Sequence, residues 1–420
     1  MMNERRMACI ACGGPLLGDV VVIGDQYPSA VFVSKDTPPL EASSLNVTKC
    51  MDCNLVQLSH SYDLQYVFDH YPYESGMTAS MKGILQDVVE DTTQMIPLCD
   101  EDVVLDIGGN DGTLLGMVEQ PVRARVNIDA AAEVKQTVSD RDYKHIHAKF
   151  SADVYRSLEL PNPKLIFSVA MFYHLNDPLT FCQNVKEIMS DDTVWVLQMT
   201  YLGTMLRDNI LDNIVHEHSA YYSLASLEHL LSRIGLLVAE ARIVKSYGGS
   251  LRVFVVKDPS RFPKKYWKRE YKTVWSFESS IQTNTDEALY AFNTRVHLLR
   301  HSIGGVIEHL VKRYGPLWGF GASTKGNMLL QFLGVGVHEV SCILDNSPKK
   351  IGLKTIGSKI PIVDESTYLQ HLPKYLFILP YYYTSTFIPI IQKHIPINKQ
   401  VYLFVPLPYP HFVTVYDRHM

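Results

Sequence analysis

The spacing of apolar residues changes along the chain. Up to about residue 60 they come in short alternating runs, 20–23 and 30–33, set among Gly, Pro and Ser. That is the period-two pattern of half-buried strands. A Tyr-rich connector follows, with Tyr62, Tyr66, Tyr71 and Tyr73. Met81, Ile84, Leu85, Val88 and Val89 then recur at helical spacing and predict an amphipathic helix over residues 78–95. From about residue 100, short buried strands are expected at 103–105, 125–128, 165–169 and 194–199. A helix at 114–119 follows the first, and a hairpin at 242–256, broken at Gly248 and Gly249, closes the unit. Strands alternating with helices argue for a mostly parallel sheet covered on both faces. A basic, aromatic stretch at 257–275 reads as a solvated linker. A long helical pattern at 286–314 leads into a second strand–glycine loop–helix unit at Leu317, with later strands at 340–344 and 375–379.

These elements predict an α/β protein: a small N-terminal module over 1–70, a Rossmann-like domain over 71–258, a linker over 259–285, and a second Rossmann-like domain over 286–420. A chain of 420 residues has room for two or three domains. At 46% apolar and 20% charged residues it is not disordered. Thirty-nine basic against 44 acidic side chains, a net charge of −5, exclude a nucleic-acid coat or a membrane-surface polycation. The longest apolar run, 165–173, is half of what a bilayer needs, and no apolar stretch follows Arg5 and Arg6 as in a signal peptide. A soluble, cytoplasmic protein is expected, with no membrane or nucleic-acid partner.

Candidate chemistry clusters in five motifs. Four of the seven cysteines form two Cys-x-x-Cys pairs, Cys9 with Cys12 and Cys50 with Cys53. Two such knuckles can surround a structural Zn2+ tetrahedrally, and the metal would stabilise a segment too small to build its own core. Asp106 ends a buried strand and begins the run DIGGNDG, with Gly108, Asn110 and Gly112 before a helix. Asp129 ends the next strand, where a carboxylate would face a ribose diol. The spacing D-x-G-x-x-x-G is that of S-adenosylmethionine-dependent methyltransferases rather than of dinucleotide sites. His216, Glu217 and His218, followed by Tyr221 and Tyr222, lack the helical histidine spacing of a zinc protease and suit a general base, with ordinary histidines as the alternative. Tyr247 to Arg252 reads YGGSLR, a tight turn feeding a strand that carries Arg252. Gly321, Ser323 and Lys325 sit where the C-terminal strand meets its helix, a place suited to cradling phosphate.

In this order, the Cys pairs, Tyr71 to Tyr73, DIGGNDGTLL, Phe172-Tyr173-His174, HEH-x-x-Tyr-Tyr-Ser, GGSLR and GASTKGN resemble the zinc-containing sugar C-methyltransferases of deoxysugar pathways, over nearly the whole chain. The resemblance implies a four-cysteine zinc module, a class I S-adenosylmethionine domain and a C-terminal Rossmann-like domain. It implies His218 as general base supported by Glu217, His174 and Tyr73 lining the reaction centre, and Tyr221, Arg252, Gly321, Ser323 and Lys325 on the substrate side. The substrate would be a nucleotide-linked 4-keto-deoxysugar, commonly a thymidine diphosphate sugar, and the protein a monomer. The family's Tyr-His-Glu-His reads Val215-His216-Glu217-His218 here. The competing readings are methylation of a non-sugar metabolite and a non-catalytic binding protein on the same fold.

Overall fold

The computed structural model describes residues 3–62, 74–77, 79–131, 136–138, 142–246 and 248–417. The amphipathic pattern after the connector forms the helix Ala79–Met95, burying Met81, Leu85, Val88 and Val89. The central domain is a seven-stranded sheet. Across it run Leu237–Val244, Ser250–Val256, Val194–Thr200, Leu165–Val169, Val103–Ile107, Ala124–Asp129 and Tyr143–His147. The last five are parallel, and Ser250–Val256 is antiparallel to both of its neighbours. The strands Val103–Ile107 and Leu165–Val169 are neighbours whose chains leave in opposite directions across the sheet, so a crevice opens at their C-terminal ends, where such sheets bind ligands. The helix after the first strand is shorter than its apolar run suggested, Thr113–Gly116.

The C-terminal domain is a six-stranded sheet in the order Ile362–Asp364, Val340–Asp345, Leu317–Phe320, Tyr375–Ile378, Gln400–Val405 and His411–Tyr416, with only the last strand antiparallel. The long helix Asp286–Tyr314 leads into it. Its Thr285 cap accepts from Ala288 N, and Asp286 and Glu287 at its start and Lys312 and Arg313 at its end oppose the helix dipole. The expected linker is not solvated throughout. It carries the helix Tyr271–Ser280, whose buried Glu278 accepts from Leu224 N at 2.5 Å and from the Tyr201 hydroxyl at 2.8 Å. Its charge pattern resembled a surface because a carboxylate facing backbone donors reads the same in sequence as one facing water. No helix among the described residues is long and apolar enough to cross a membrane.

The N-terminal module packs against both other domains. Its strands Val21–Gln26, Ser43–Lys49 and Val56–Leu58 form an antiparallel sheet that takes in Ala220–Tyr221, from the central domain, as a fourth strand. A shorter strand, Phe32–Val33, pairs with Lys354–Thr355 of the C-terminal domain. The four sulfurs of Cys9, Cys12, Cys50 and Cys53 lie within 4.8 Å of one another. Cys9 and Cys53 are 3.6 Å apart, and Cys12 and Cys50 are 3.4 Å apart. Zn–S bonds of about 2.3 Å in a tetrahedron put sulfurs roughly 3.8 Å apart, so the donor set fits zinc. Amides of Ala11, Gly14 and Asp52 point at Cys9, Cys12 and Cys50 at 3.3 to 3.4 Å, the outer contacts that orient metal-ligating sulfurs.

Because Leu55 and the strand Val56–Leu58 follow directly on the second knuckle, Cys53→Ser is expected to abolish stoichiometric zinc and to cost methyl transfer as well as thermal stability. Metal analysis, a melting curve and a turnover assay on one preparation check this. Undiminished turnover in a zinc-free variant would show that the module does not position the site.

Candidate active site

The glycine loop after Val103–Ile107 is shaped by close contacts. Gly108 has φ +75°, and a Cβ there would lie 2.9 Å from the Met171 side chain. A Cβ on Gly109 would lie 2.5 Å from the Asp106 carboxylate. Asp129 accepts from Asn110 N at 2.8 Å and from Ala131 N at 2.7 Å, and its half-exposed carboxylate keeps lone pairs for a diol. Burial, with Asp129 and Asp111 nearby, pushes Asp106 up to about 8. Glycines that admit a ligand to the backbone, and a carboxylate at the end of the second strand, fit a nucleoside cofactor. Two residues not singled out from sequence support the loop. Asn127 donates to Asn110 O at 3.0 Å, and Asp111 accepts from Gly76 N at 2.7 Å.

Beside this loop the strand Leu165–Val169 ends in the turn Phe172–His174, and the histidine motif folds onto it. The His174 and His218 rings are 5.2 Å apart, with Tyr173 4.5 Å from each. His174 Nδ1 meets Glu217 O at 2.6 Å, and His218 Nδ1 meets Asn213 O at 2.7 Å. A carbonyl only accepts, so each Nδ1 carries the hydrogen, which leaves Nε2 of His218 as its basic nitrogen, while His174 bonds to the Ala170 backbone as well. Burial pushes His174 down to about 4. It pushes His218 well below the usual histidine value, and the charges of His174 and Lys325 add to the effect.

The structure separates the three residues of the motif. His216 turns to the N-terminal module, with Nε2 3.2 Å from Ser43 Oγ and its ring against Tyr62. Glu217 is buried, neither carboxylate oxygen has a partner among the described residues, and burial pushes it up to about 7. Only His218 joins His174. Val215 is packed into the apolar core.

Three expectations change, and Tyr73 lies outside the described residues. Tyr221 is buried in the strand paired to the module, next to Tyr62 and Glu217 rather than on an open substrate face. Arg252 is also buried, and its guanidinium meets Asp87 at 2.5 Å, Asp91 at 2.7 Å and Gln198 at 2.7 Å, so it braces the helix Ala79–Met95. The loop at Gly321 is not an open phosphate cradle. Ala322 N donates to the Asp345 carboxylate at 2.7 Å, and Gly326 N to Ser323 Oγ at 2.9 Å.

Lys325 instead reaches the histidine cluster. Its ammonium nitrogen is buried 4.7 Å from the centre of the Tyr382 ring and near Asp212. Asp212 accepts from the Tyr381 hydroxyl at 3.1 Å and from that of Tyr382. Asp212, Asn213, Tyr381 and Tyr382 were all missed as site residues. Asp212 and Asn213 lie just ahead of the histidine motif, but a run of three tyrosines carries no periodic signal. A cavity of about 310 Å³ adjoins them in the cleft between the domains, lined by Ile210, Gly248, Tyr381, Tyr382, Leu407 and His411 among others.

Three family models match the chain in succession: a zinc binding domain over residues 9–68, a methyltransferase domain over 81–241, and a C-methyltransferase C-terminal domain over 245–408. The chain is 27% identical over 412 residues to C-methyltransferase NovU of Streptomyces niveus, covering 97% of this chain and 96% of the relative. Among solved structures it is similar to a SAM-dependent methyltransferase from Aquifex aeolicus, at 15% identity over 41% of this chain and 97% of that one, with a TM-score of 0.30. It is similar also to the plantazolicin methyltransferase BpumL in complex with S-adenosylhomocysteine, at 12% identity over 41% and 82%, with a TM-score of 0.30.

Glu217 gives a pH test of this geometry. Its folded pKa of about 7 lies above the ordinary 4.5, so the native state holds a proton that the unfolded chain releases. The associated stability is complete below pH 4.5 and is lost as pH rises through 7, in total roughly 3 kcal/mol. Glu217→Gln removes this dependence. The variant's melting temperature is expected to gain on wild type between pH 5 and pH 8, and a constant gap would mean that Glu217 is solvated.

Proposed function

The chain belongs to the zinc-containing, S-adenosylmethionine-dependent C-methyltransferases, and on that premise we propose that it methylates the carbon alpha to the ketone of a nucleotide-linked 4-keto-deoxysugar. A thymidine diphosphate sugar is the favoured form, and His218 is the base. The observation that carries this reading is the His218 ring. It is neutral at neutral pH, held by Asn213 O through Nδ1, and set beside His174 at the edge of the glycine-loop crevice.

Carbon is a weak nucleophile unless a neighbouring ketone can take up its charge as an enolate, and making the enolate requires a base at the alpha carbon. His218 Nε2 takes that proton. His174, fixed by the backbone of Glu217 and of Ala170, sets its ring beside His218 and lines the space that the sugar would occupy. Gly108 and Gly109 would let the cofactor approach the backbone, with Asp129 on its ribose diol. When bound, S-adenosylmethionine supplies an electrophilic methyl group. The protein's further contribution is to hold donor and acceptor in line, which removes much of the entropic barrier. The cleft lined by Tyr381, Tyr382 and His411 is concave and aromatic, and suits the nucleoside half of the substrate.

His218→Ala is expected to lower kcat by roughly 10²- to 10⁴-fold while leaving S-adenosylhomocysteine affinity unchanged. The acid limb of the wild-type kcat profile is expected below pH 6.5, because His218 resists protonation until well under that value. Turnover that survives in the variant would end the base assignment. Calorimetric titration with S-adenosylhomocysteine, then with thymidine diphosphate in its presence, tests the substrate class. Binding of both supports a nucleotide-linked acceptor, whereas binding of the first alone keeps the methyltransferase and removes the nucleotide.

A further inference from the structure

Lys325 lies at the start of the helix Thr324–Leu333, yet its ammonium does not serve the loop that the helix opens. The amides of Ala322 and Gly326 in that loop are taken by Asp345 and Ser323, and it is Lys350 that donates to Ala322 O there, at 2.7 Å. The side chain turns instead to the Tyr382 ring, 4.7 Å away, whose hydroxyl donates to Asp212 in the turn Leu211–Asn213 of the central domain. The next residue in that turn, Asn213, is the one whose carbonyl holds His218. Consecutive residues thus orient a cation and a base, one through a carboxylate and the other through a carbonyl.

Resting on the keto-substrate reading above, we propose that Lys325 is the electrophilic partner of His218: its ammonium, oriented by Asp212, Tyr381 and Tyr382, meets the substrate oxygen that becomes negative as the alpha proton leaves. In this step the alpha C–H bond breaks, and its proton goes to His218 Nε2. The bonding pair forms the enolate C=C, and the carbonyl π pair moves onto oxygen. That pair returns as the C=O re-forms, and the C=C pair would bond the methyl carbon, whose bond to the sulfonium sulfur would break with its electrons left on S-adenosylhomocysteine.

The cluster's charges suit this role. A buried ammonium is costly unless compensated, and Lys325 has the Tyr382 ring at 4.7 Å and the charge of Asp212 nearby, while two phenols satisfy that carboxylate. Deprotonation creates an imidazolium and an enolate together, and the standing Lys325–Asp212 pair places positive charge near the new oxyanion without changing the net charge. The same cation weakens His218 as a base, since its field favours the neutral ring. That cost is offset only if the ammonium stabilises the enolate more than it disfavours the imidazolium, as preorganised donors do in a water-poor site.

The test separates deprotonation from binding. With S-adenosylhomocysteine bound, in D2O, the protein is given a thymidine diphosphate 4-keto-6-deoxysugar, and deuterium entry at the alpha carbon is followed by mass spectrometry alongside kcat and KM of the full reaction. Lys325→Met is expected to slow exchange at saturation and kcat by about 10²- to 10³-fold, with KM changed less than about fivefold and S-adenosylhomocysteine affinity retained. Lys325→Arg is expected to recover part of both rates. A variant that raises KM but exchanges normally at saturation would make Lys325 a substrate anchor and overturn the proposal. If Lys325→Met does not fold, Lys325→Gln and Lys325→Arg decide: exchange equal to wild type in the neutral glutamine variant, or no advantage of arginine over glutamine, overturns it. A wild-type protein that binds S-adenosylhomocysteine but exchanges no 4-keto sugar nucleotide would instead remove the substrate reading beneath it.

Discussion

The histidine cluster depends on a two-residue strand. Ala220 and Tyr221 pair with Gln57 and Val56, and Leu58 N donates to Ser219 O at 3.0 Å. The segment just before this strand carries Asp212, Asn213 and His218 with only a short turn of regular structure, so its own backbone cannot hold it. Pairing at its C-terminal end supplies the missing constraint. The partner strand is itself fixed by the knuckle of Cys50 and Cys53, with Leu55 fully buried between them. Cysteine knuckle, strand, loop and His218 therefore form one connected sequence, through which a zinc held by the knuckles would steady a ring that it never touches. The alternation of a strand-like segment does the rest, sending His216 to the module and His218 to the crevice.

Burial sets the electrostatics of that crevice. Asp106 and Glu217 are pushed up and His174, His216 and His218 are pushed down, so these five groups all move towards their neutral forms. Desolvation produces this pattern when a site is closed before charge is needed. Asp212 is pushed up and Lys325 down as well, and for these two the charge of the other counters part of the desolvation. A neutral base surrounded by mostly neutral groups releases no charge to solvent when it accepts a proton, and whatever charge separates must be met by fixed groups already in place.

The sequence made the local features legible. Apolar runs located the strands Val103–Ile107, Leu165–Val169 and Val194–Thr200 to within a residue or two, because a fully buried parallel strand leaves a continuous mark. The cysteine pairs and the glycine loop were readable because their chemistry is written in spacing. Long-range partnership was not. Lys325 and Asp212 are more than a hundred residues apart, and a lysine after a glycine loop looks like a phosphate ligand until the fold shows Asp345 in the loop and Asp212 across the cleft. Arg252 was misjudged for the same reason: its partners Asp87 and Asp91 lie on a helix that precedes the first strand of the sheet. Glu278 shows the converse, a charge buried because backbone donors wait for it.

The two Rossmann-like units share one device and use it differently. In each, an acidic residue at the end of the second strand accepts from the loop after the first: Asp129 from Asn110 N at 2.8 Å, and Asp345 from Ala322 N at 2.7 Å. Each also accepts from the amide two residues further on, Ala131 at 2.7 Å and Ser347 at 2.8 Å. The shared geometry fixes the loop's shape and leaves its function to the neighbours. In the first unit Asp106 and a glycine pair leave open backbone for a cofactor. In the second, Phe320 ends the strand, Gly321 with φ +82° packs against Pro380, and the helix start is turned so that Lys325 reaches across the cleft. A fold unit used to bind nucleosides thus serves here to place a single cation, so the function of each loop has to be read from its side chains and not from its topology.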